Sequence, residues 1–300
     1  APRFFLQQSA ARRRHFRANC CGHCHRRVFL CATCRVAGSD MHTGLLALVF
    51  LLLALPAAAV EQFGYRVLES KPQDRANFVQ GLEIREGKLY VSSGNYGQSR
   101  LMRYDFDSGE LEKSQSLNPR LFAEGLTLFG DHIYQLTWRE RMVLVFDRQS
   151  MEPIEWFPLA GEGWGLTNNG EQLIYSDGSD RIHFMNAETR TITRAITVTE
   201  NGRPVRKINE LEWIDGKLWA NIWQQDRIVV IDPESGEVSA NIDLRDLLPT
   251  SDRRSGTDVL NGIARNPADG GIWVTGKRWP WLYRIELIRK DSPTSYPHSR

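Results

Sequence analysis

Five times in this chain a variable residue is followed by Gly-Leu or a close relative, where the sequence predicts the start of a short β-strand. The five triplets are Gln80-Gly81-Leu82, Glu124-Gly125-Leu126, Trp164-Gly165-Leu166, Asn209-Glu210-Leu211 and Asn261-Gly262-Ile263. Counted from their middle residues, the steps are 44, 40, 45 and 52 residues. A period of that size, made of short strands, is typical of a β-propeller in which each repeat is one blade.

Every repeat contains the same succession of strands and turns. A strand follows the triplet, then a turn rich in Gly, Asn and Asp, then a β-rich strand such as residues 88–91, and two further strands separated by a second turn. The last repeat stops after residues 282–287, one strand short, while residues 65–69 form an unused strand near the other end. The sequence therefore predicts an all-β, five-bladed propeller whose last blade is closed by the N-terminal strand, which leaves no open sheet edge.

The N-terminal residues differ from the rest of the chain. Residues 1–40 contain all five cysteines and a formal charge of +7, and we interpret them as a disordered, over-extended gene start. Residues 41–59 begin with Met, continue with a short apolar run and end in small residues, the pattern of a signal peptide. A zinc site was the alternative, because Cys21-x-x-Cys24 and Cys31-x-x-Cys34 are paired, but only six residues separate the pairs, against about 12–20 in such sites.

Charge and cysteine content limit the partners and the compartment. The whole chain has a net charge of +2, but residues 41–300 carry 30 basic and 35 acidic side chains, so we expect no nucleic-acid partner. We expect residues 60–288 to form the five-bladed propeller domain and residues 289–300 to be a polar tail. An export signal without a second apolar segment predicts a periplasmic or secreted protein with no membrane contact after signal removal. The charge and the lack of an obvious apolar patch favour a monomer.

The variable residue of each triplet is the candidate site residue. If all five repeats begin alike, Gln80, Glu124, Trp164, Asn209 and Asn261 form one ring at one mouth of the central channel. The second strand of each repeat returns to the same rim. The residues just past it are Gly94, Trp138, Gly178, Trp223 and Lys277, so two indoles and an ammonium are expected to join the ring.

Each of these residues also has an ordinary structural explanation. A tryptophan in a propeller is often core filler, an Asn or Gln before Gly often caps a turn, and Lys277 could be an exposed loop charge. Their convergence on one concave mouth is harder to explain by packing, and it predicts a ligand site. His132 and His183 have no partner at metal-ligand spacing, and no nucleophilic triad or phosphate loop is visible. What remains is Glu124 in an indole-lined pocket, where burial raises its pKa and Lys277 lowers it, a combination suited to proton transfer.

The motifs themselves resemble those of a known family, the plant-type and bacterial glutaminyl-peptide cyclotransferases. The resemblance runs from about Tyr65 to Leu287 and does not cover residues 1–59. It rests on Phe78-Val79-Gln80-Gly81-Leu82, Ala123-Glu124-Gly125-Leu126-Thr127, Gly163-Trp164-Gly165-Leu166-Thr167, Ile208-Asn209-Glu210-Leu211-Glu212-Trp213, Ala220-Asn221-Ile222-Trp223-Gln224, Leu260-Asn261-Gly262-Ile263-Ala264 and Thr275-Gly276-Lys277-Arg278-Trp279-Pro280.

The resemblance implies a five-bladed propeller enzyme that needs no metal or other cofactor. Its substrates are peptides or proteins with N-terminal glutamine, which it converts to pyroglutamate with release of ammonia. Matched position by position, Glu124 is the family's catalytic acid/base, and Lys277, Asn209 and Gln80 are its polar site residues. The aromatic lining is matched by Phe78, Trp138, Trp164 and Trp223, and Asn261 occupies the fifth ring position. Val79 departs from the family's usual Thr, and strand alternation is expected to point it away from the ring.

In the mechanism that follows as a hypothesis, the substrate's α-amine attacks its own side-chain carboxamide. Glu124 takes a proton from the amine and passes it to the departing ammonia, while Lys277, with Asn209 or Gln80, donates hydrogen bonds to the oxygen. Two alternatives stay open at this point. A calcium-dependent lactonase or esterase propeller would need several carboxylates around one metal, and a non-catalytic propeller that recognises peptide termini would use the same ring.

Overall fold

The computed structural model describes residues 59–290. The expected gene start, the signal peptide, the paired cysteines and the tail from residue 291 onward lie outside them. The described part of the chain consists of β-strands, one 3-10 turn at Thr250–Asp252 and irregular loops, and it contains no helix long and apolar enough to cross a membrane. The all-β fold expected from the repeats is confirmed.

Twenty-two strands follow one another along the chain. Their bounds are β1 Glu61–Pro72, β2 Val79–Arg85, β3 Lys88–Ser93, β4 Arg100–Asp105, β5 Leu111–Ser116, β6 Ala123–Phe129, β7 His132–Thr137, β8 Met142–Asp147, β9 Pro153–Pro158, β10 Leu166–Asn168, β11 Leu173–Ser176, β12 Arg181–Asn186, β13 Thr191–Thr197, β14 Thr199–Glu200, β15 Arg203–Pro204, β16 Ile208–Ile214, β17 Lys217–Ile222, β18 Arg227–Ile231, β19 Val238–Asp243, β20 Leu260–Arg265, β21 Ile272–Gly276 and β22 Trp281–Arg289.

Three of the repeats form separate four-stranded antiparallel sheets, β2–β5, β6–β9 and β10–β13, each with its strands in chain order. The fourth repeat, β16–β19, and the fifth, β20–β22, share one eight-stranded sheet whose order is β16-β17-β18-β19-β1-β22-β21-β20. The first strands contact one another in the order β2, β6, β10, β16, β20 and back to β2. The repeats therefore surround a common axis, with their first strands innermost, as in a propeller-like fold.

Strand β1 joins the two ends of the chain. It pairs antiparallel with β22, with Tyr65 opposite Leu287 and Pro72 opposite Trp281. At its start it also pairs in parallel with β19, where Glu61 lies opposite Ala240. The pairing expected for residues 65–69 is confirmed, and the strand is longer than expected. Strand β1 supplies the outermost strand of the last repeat and lies between β22 and β19. The outer edge of β22 is therefore paired and not exposed.

The core lies between neighbouring sheets. Tyr134 and Leu136 of the second repeat pack with Leu166 and Tyr175 of the third, and similar apolar layers separate the other repeats. Each layer is assembled from strands that alternate inward and outward side chains. Burial of these layers holds the sheets face to face, so the position of each inner strand is fixed by packing on both sides.

The glycine in the triplet is required by the close approach of neighbouring inner strands. A Cβ atom on Gly81 would lie 2.5 Å from the backbone nitrogen of Leu126, and one on Gly125 would overlap the backbone of Gly165 and Leu166. A Cβ on Gly165 would overlap the carbonyl oxygen of Asn209. The repeated glycine is thus a packing requirement of the ring of inner strands.

The fourth triplet has Glu210 in the glycine position, and its side chain is fully buried. Its carboxylate accepts a hydrogen bond of 2.9 Å from the backbone N–H of Ile263, and the nearby backbone N–H of Leu82 also favours its ionised form. Burial nevertheless raises the pKa of Glu210 well above its usual range, and the nearby Glu212 raises it further. This carboxylate connects inner strands of two other repeats, so we assign it a structural role.

We predict that Gly165→Ala destabilises the protein by about 3 kcal/mol or more, because overpacking at a backbone contact forces neighbouring strands apart. Gly64→Ala is the matched control, since its Cβ would meet the flexible end of Lys290 at 3.2 Å and the carbonyl oxygen of Ile288 at an ordinary contact distance of 4.0 Å. Urea unfolding followed by tryptophan fluorescence measures both variants. Equal stability of the two variants would contradict the close-approach argument.

Candidate functional site

A cavity of about 690 Å³ opens at one mouth of the ring of inner strands. Eight of the nine residues expected from the sequence line it: Phe78, Gln80, Glu124, Trp138, Trp164, Asn209, Trp223 and Lys277. The ninth, Asn261, lies fully buried behind them and contacts the site through hydrogen bonds. The predicted convergence of residues from five repeats is therefore present in the structure.

Local irregularities of the inner strands aim the ring residues at the cavity. The antiparallel pairing is shifted at Gln80 in β2, at Glu124 in β6, at Asn209 in β16 and at Asn261 in β20. A bulge leaves its extra residue out of the ladder and redirects its side chain. In the third repeat Trp164 has the same place just before β10 begins. The ring side chains can thus project into the mouth while the rest of each strand stays paired.

The second group of residues follows the second strand of three repeats. Trp138 comes directly after β7, Trp223 after β17 and Lys277 after β21. Because strand two runs antiparallel to strand one, its end lies beside the ring residue of strand one. The placement expected from the alignment of the repeats is found for all three.

Hydrogen bonds link the polar ring residues into a chain. Gln80 Nε2 donates to Glu124 Oε1 at 3.1 Å, and Asn209 Nδ2 donates to Asn261 Oδ1 at 2.8 Å. Asn261 Nδ2 in turn donates to the carbonyl oxygen of Val79 at 2.9 Å and contacts Gln80 Oε1 at 3.4 Å. Asn261 therefore orients the two neighbouring amides and belongs to the layer that supports the cavity wall.

Glu124 and Lys277 are both buried, with 5% and 4% of their surface exposed. Burial raises the pKa of Glu124 well above its usual 4.5, while Lys277 opposes this shift and Glu162 and Glu140 add to it. Burial lowers the pKa of Lys277, and the charges of Glu124 and Asp258 oppose that shift. Burial disfavours the charged form of each group because that form lacks solvation. The opposite charge of the neighbouring group favours it. Such a carboxyl group takes up and releases a proton at higher pH than a solvent-exposed one, as a general acid/base requires.

Two polar groups at the cavity have unused hydrogen-bonding capacity. Asn209 Oδ1 is buried and accepts no hydrogen bond. Lys277 Nζ lies 4.9 Å from the ring centroid of Phe78, and it makes no hydrogen bond or ion pair with any residue of the described range. Buried polar groups are normally paired, so an unpaired acceptor and an unpaired ammonium at one cavity point to a polar ligand.

Aromatic rings form the walls of the cavity. Trp164 and Trp223 meet edge to face with ring centroids 5.7 Å apart. On the other side Phe122 packs against Phe78 at 6.3 Å and against Trp138 at 5.5 Å. Rings fixed by such contacts form a narrow apolar space suited to a flat group of a few atoms.

Sequence reasoning missed Phe122 and Glu162, although the repeats contain a signal for both. Phe78 lies two residues before the ring residue of its repeat, and Phe122 and Glu162 lie at the same offset in theirs. Residues two apart on a strand point to the same side, so this position belongs to the cavity as well. Val259 occupies it in the fifth repeat and also lines the cavity.

No group of three or more His, Cys, Asp or Glu side chains within residues 59–290 is arranged to hold a metal ion. His183 instead bonds Asp177 through Nε2 at 3.0 Å. The charged groups that line the cavity are the carboxyl groups of Glu124, Glu162 and Asp258, the ammonium of Lys277 and the guanidinium of Arg139, and amides and aromatic rings complete the lining.

Comparison with known proteins decides the family. A protein-family model described as glutamine cyclotransferase matches residues 43–287. This chain belongs to the glutamine cyclotransferase family. A glutaminyl-peptide cyclotransferase of Arabidopsis thaliana is 37% identical over 227 residues, which cover 74% of this chain and 70% of the relative. The crystal structure of Myxococcus xanthus glutaminyl cyclase matches with a TM-score of 0.72 and 32% identity, over 77% of this chain and 100% of that structure.

For this cyclotransferase-family protein we predict that the Glu124→Gln variant becomes increasingly more stable than the wild type as pH rises above 4.5. A carboxyl group whose pKa is raised by folding holds its proton more tightly in the folded state than in the unfolded state. The wild type therefore loses stability as pH increases from 4.5 to the raised pKa of the folded protein. The variant has no such proton, and Gln80 can still donate to its carbonyl oxygen. The difference should widen by up to about 1.4 kcal/mol per pH unit. Urea unfolding between pH 4 and 8 measures it, and a constant difference would contradict the raised pKa.

Proposed function

We propose that this protein is a glutaminyl-peptide cyclotransferase, which converts the N-terminal glutamine of a peptide or protein to pyroglutamate and releases ammonia. The observation that carries the proposal is the presence of a buried Glu124 and a buried Lys277 in the same aromatic cavity at the channel mouth. Membership of the glutamine cyclotransferase family supports it.

We also propose that the fold is a five-bladed propeller. Four blades would be β2–β5, β6–β9, β10–β13 and β16–β19, and the fifth would consist of β20–β22 with β1 as its outer strand. The closed succession of contacts between the first strands supports this count. A five-bladed ring has a narrow channel, so its mouth can be lined by a single residue from each blade.

The reaction can proceed inside one substrate residue. The substrate's α-nitrogen attacks the side-chain carboxamide carbon, a new C–N bond closes the five-membered ring, and the old C–N bond to the amide nitrogen breaks. Because the attack is intramolecular, holding the side chain folded back between the indoles contributes much of the rate. Glu124 accepts the proton that the α-nitrogen loses and delivers it to the departing nitrogen, which leaves as ammonia.

The structure refines the roles of the amides in this proposal. Asn209 Nδ2 and Gln80 Nε2 already donate to Asn261 and Glu124. We therefore assign the stabilisation of the developing oxygen charge chiefly to Lys277, whose ammonium is unpaired. Asn209 Oδ1 is buried and accepts no hydrogen bond, and we propose that a substrate N–H group donates to it. Glu124 then has one oxygen fixed by Gln80 and the other available to the substrate.

The export of this protein is a further proposal, supported by the signal-like residues 41–59. Residues 60–288 would then form the catalytic domain in the periplasm or outside the cell, acting as a monomer on peptides with N-terminal glutamine. Expression of the full chain with detection of the processed N-terminus tests the export separately from the activity.

We predict that Glu124→Gln abolishes nearly all cyclisation while the fold persists. The purified protein is incubated with a glutaminyl peptide, with and without a chelator, and ammonia release and the loss of one ammonia mass from the peptide are followed. Cyclisation by the wild type that resists chelation supports catalysis without a metal. Tight peptide binding by the wild type without any product would favour the non-catalytic binding propeller instead. A Glu124→Gln variant with wild-type turnover would remove Glu124 from the mechanism.

Lys277→Met should lower kcat about 10²- to 10³-fold, and it should change KM much less, because its hydrogen bond strengthens as charge develops on the oxygen. Loss of the ammonium should also raise the pKa of Glu124 further, so the acid limb of kcat/KM moves to higher pH. A steady-state pH profile measures both effects. A raised KM with unchanged kcat would make Lys277 a substrate-binding residue only.

A further inference from the structure

Glu162 connects two walls of the cavity through one oxygen atom. Its Oε2 accepts hydrogen bonds from Trp138 Nε1 at 2.8 Å and from Trp164 Nε1 at 3.2 Å. Trp138 follows β7 of the second repeat, and Trp164 precedes β10 of the third. A single carboxylate thus bridges indoles that belong to neighbouring sheets, at the mouth where the substrate would enter.

We propose that Glu162 is a positioning residue of the cyclisation, which fixes the two indoles at the separation the substrate requires. This role rests on the proposed function. It is carried by the paired indole contacts and by the position of Glu162 in the cavity lining.

The polar contacts of Glu162 are the two indole N–H donors and one partly exposed cation. Its nearest cation is Arg139, whose Nε lies 3.9 Å from Oε1 and whose side chain is two-thirds exposed. Arg139 stacks on the face of Trp138, with its guanidinium carbon 3.9 Å from the ring centroid. Neither indole N–H has another acceptor among the described residues, so removal of the carboxylate leaves both N–H groups without one and leaves the two rings held by their aromatic and Arg139 contacts alone.

The charge of Glu162 acts on Glu124 together with other groups around the cavity. Lys277 lowers the pKa of Glu124, whereas Glu162 and Glu140 raise it. Glu140 binds the backbone N–H of Phe122 at 3.2 Å and accepts from Tyr96 at 2.9 Å, but it contacts no indole. Glu140 therefore shares the electrostatic effect of Glu162 without its bridging contacts, which makes it the matched control.

Three variants separate geometry from charge: Glu162→Ala, Glu162→Gln and Glu140→Gln. Glu162→Ala should raise KM for a glutaminyl peptide about tenfold, the factor that corresponds to about 1.4 kcal/mol. Glu162→Gln should stay within about twofold of the wild-type KM, because its carbonyl oxygen can still accept from the indoles. Both glutamine variants should move the acid limb of kcat/KM to lower pH, since loss of a neighbouring negative charge lowers the pKa of Glu124. The substrate amine is the same throughout, so the shift belongs to the enzyme.

A readout independent of turnover accompanies the kinetics. Calorimetry compares the binding of the glutaminyl peptide to Glu124→Gln with its binding to the double variant Glu124→Gln/Glu162→Ala, and about tenfold weaker binding by the double variant is expected. Near-ultraviolet circular dichroism shows whether each variant retains its packing.

A folded Glu162→Ala variant with wild-type KM and wild-type peptide binding would overturn the positioning role. Equal KM values for Glu162→Ala and Glu162→Gln, together with an unshifted acid limb in Glu162→Gln, would also overturn it. A wild-type protein that gives no product overturns the proposed function itself, and with it this role, so the two failures are distinguishable.

Discussion

The direct backbone contact between neighbouring inner strands is the constraint on which the rest of this structure depends. Gly125 and Gly165 have no Cβ, which lets one inner strand lie against the carbonyl or amide groups of the next. The strands therefore close into a tight ring, and the residue before each glycine reaches the common axis. Because the ladder is shifted at that residue in four repeats, packing and site formation occur at the same point of the chain.

The buried carboxylates divide into two kinds according to their partners. Glu210 and Glu83 are held by backbone N–H groups of neighbouring strands, so their oxygens serve the cohesion of the ring. Glu124 is buried to a similar extent, yet its hydrogen-bond donor is the side chain of Gln80 and it lines a cavity beside an ammonium. A carboxyl group that loses solvation without enough hydrogen bonds or opposite charges to replace it destabilises the folded protein. Catalytic acids and bases are characteristically buried in this way.

The sequence allowed much of this arrangement to be predicted, because the period of the triplets fixes which residues share the mouth. The pairing of β1 with β22 followed from counting strands in the last repeat. Phe122 and Glu162 were missed because each was considered alone and not as a third repeated position two residues before the ring. The bridging role of Glu162 and the direction of the amide hydrogen bonds depend on rotamers set by neighbouring sheets, which no spacing within one repeat encodes.

The central claim is that burial raises the pKa of Glu124 well above 4.5, and that its ionised carboxylate is the form that takes the proton from the substrate's α-nitrogen. Difference infrared spectroscopy between the wild type and Glu124→Gln isolates the carboxyl band of this side chain across a pH titration. We predict a protonated carboxyl band that persists far above pH 4.5 and disappears with the midpoint of the acid limb of kcat/KM. A band that titrates near 4.5, away from the kinetic midpoint, would contradict it.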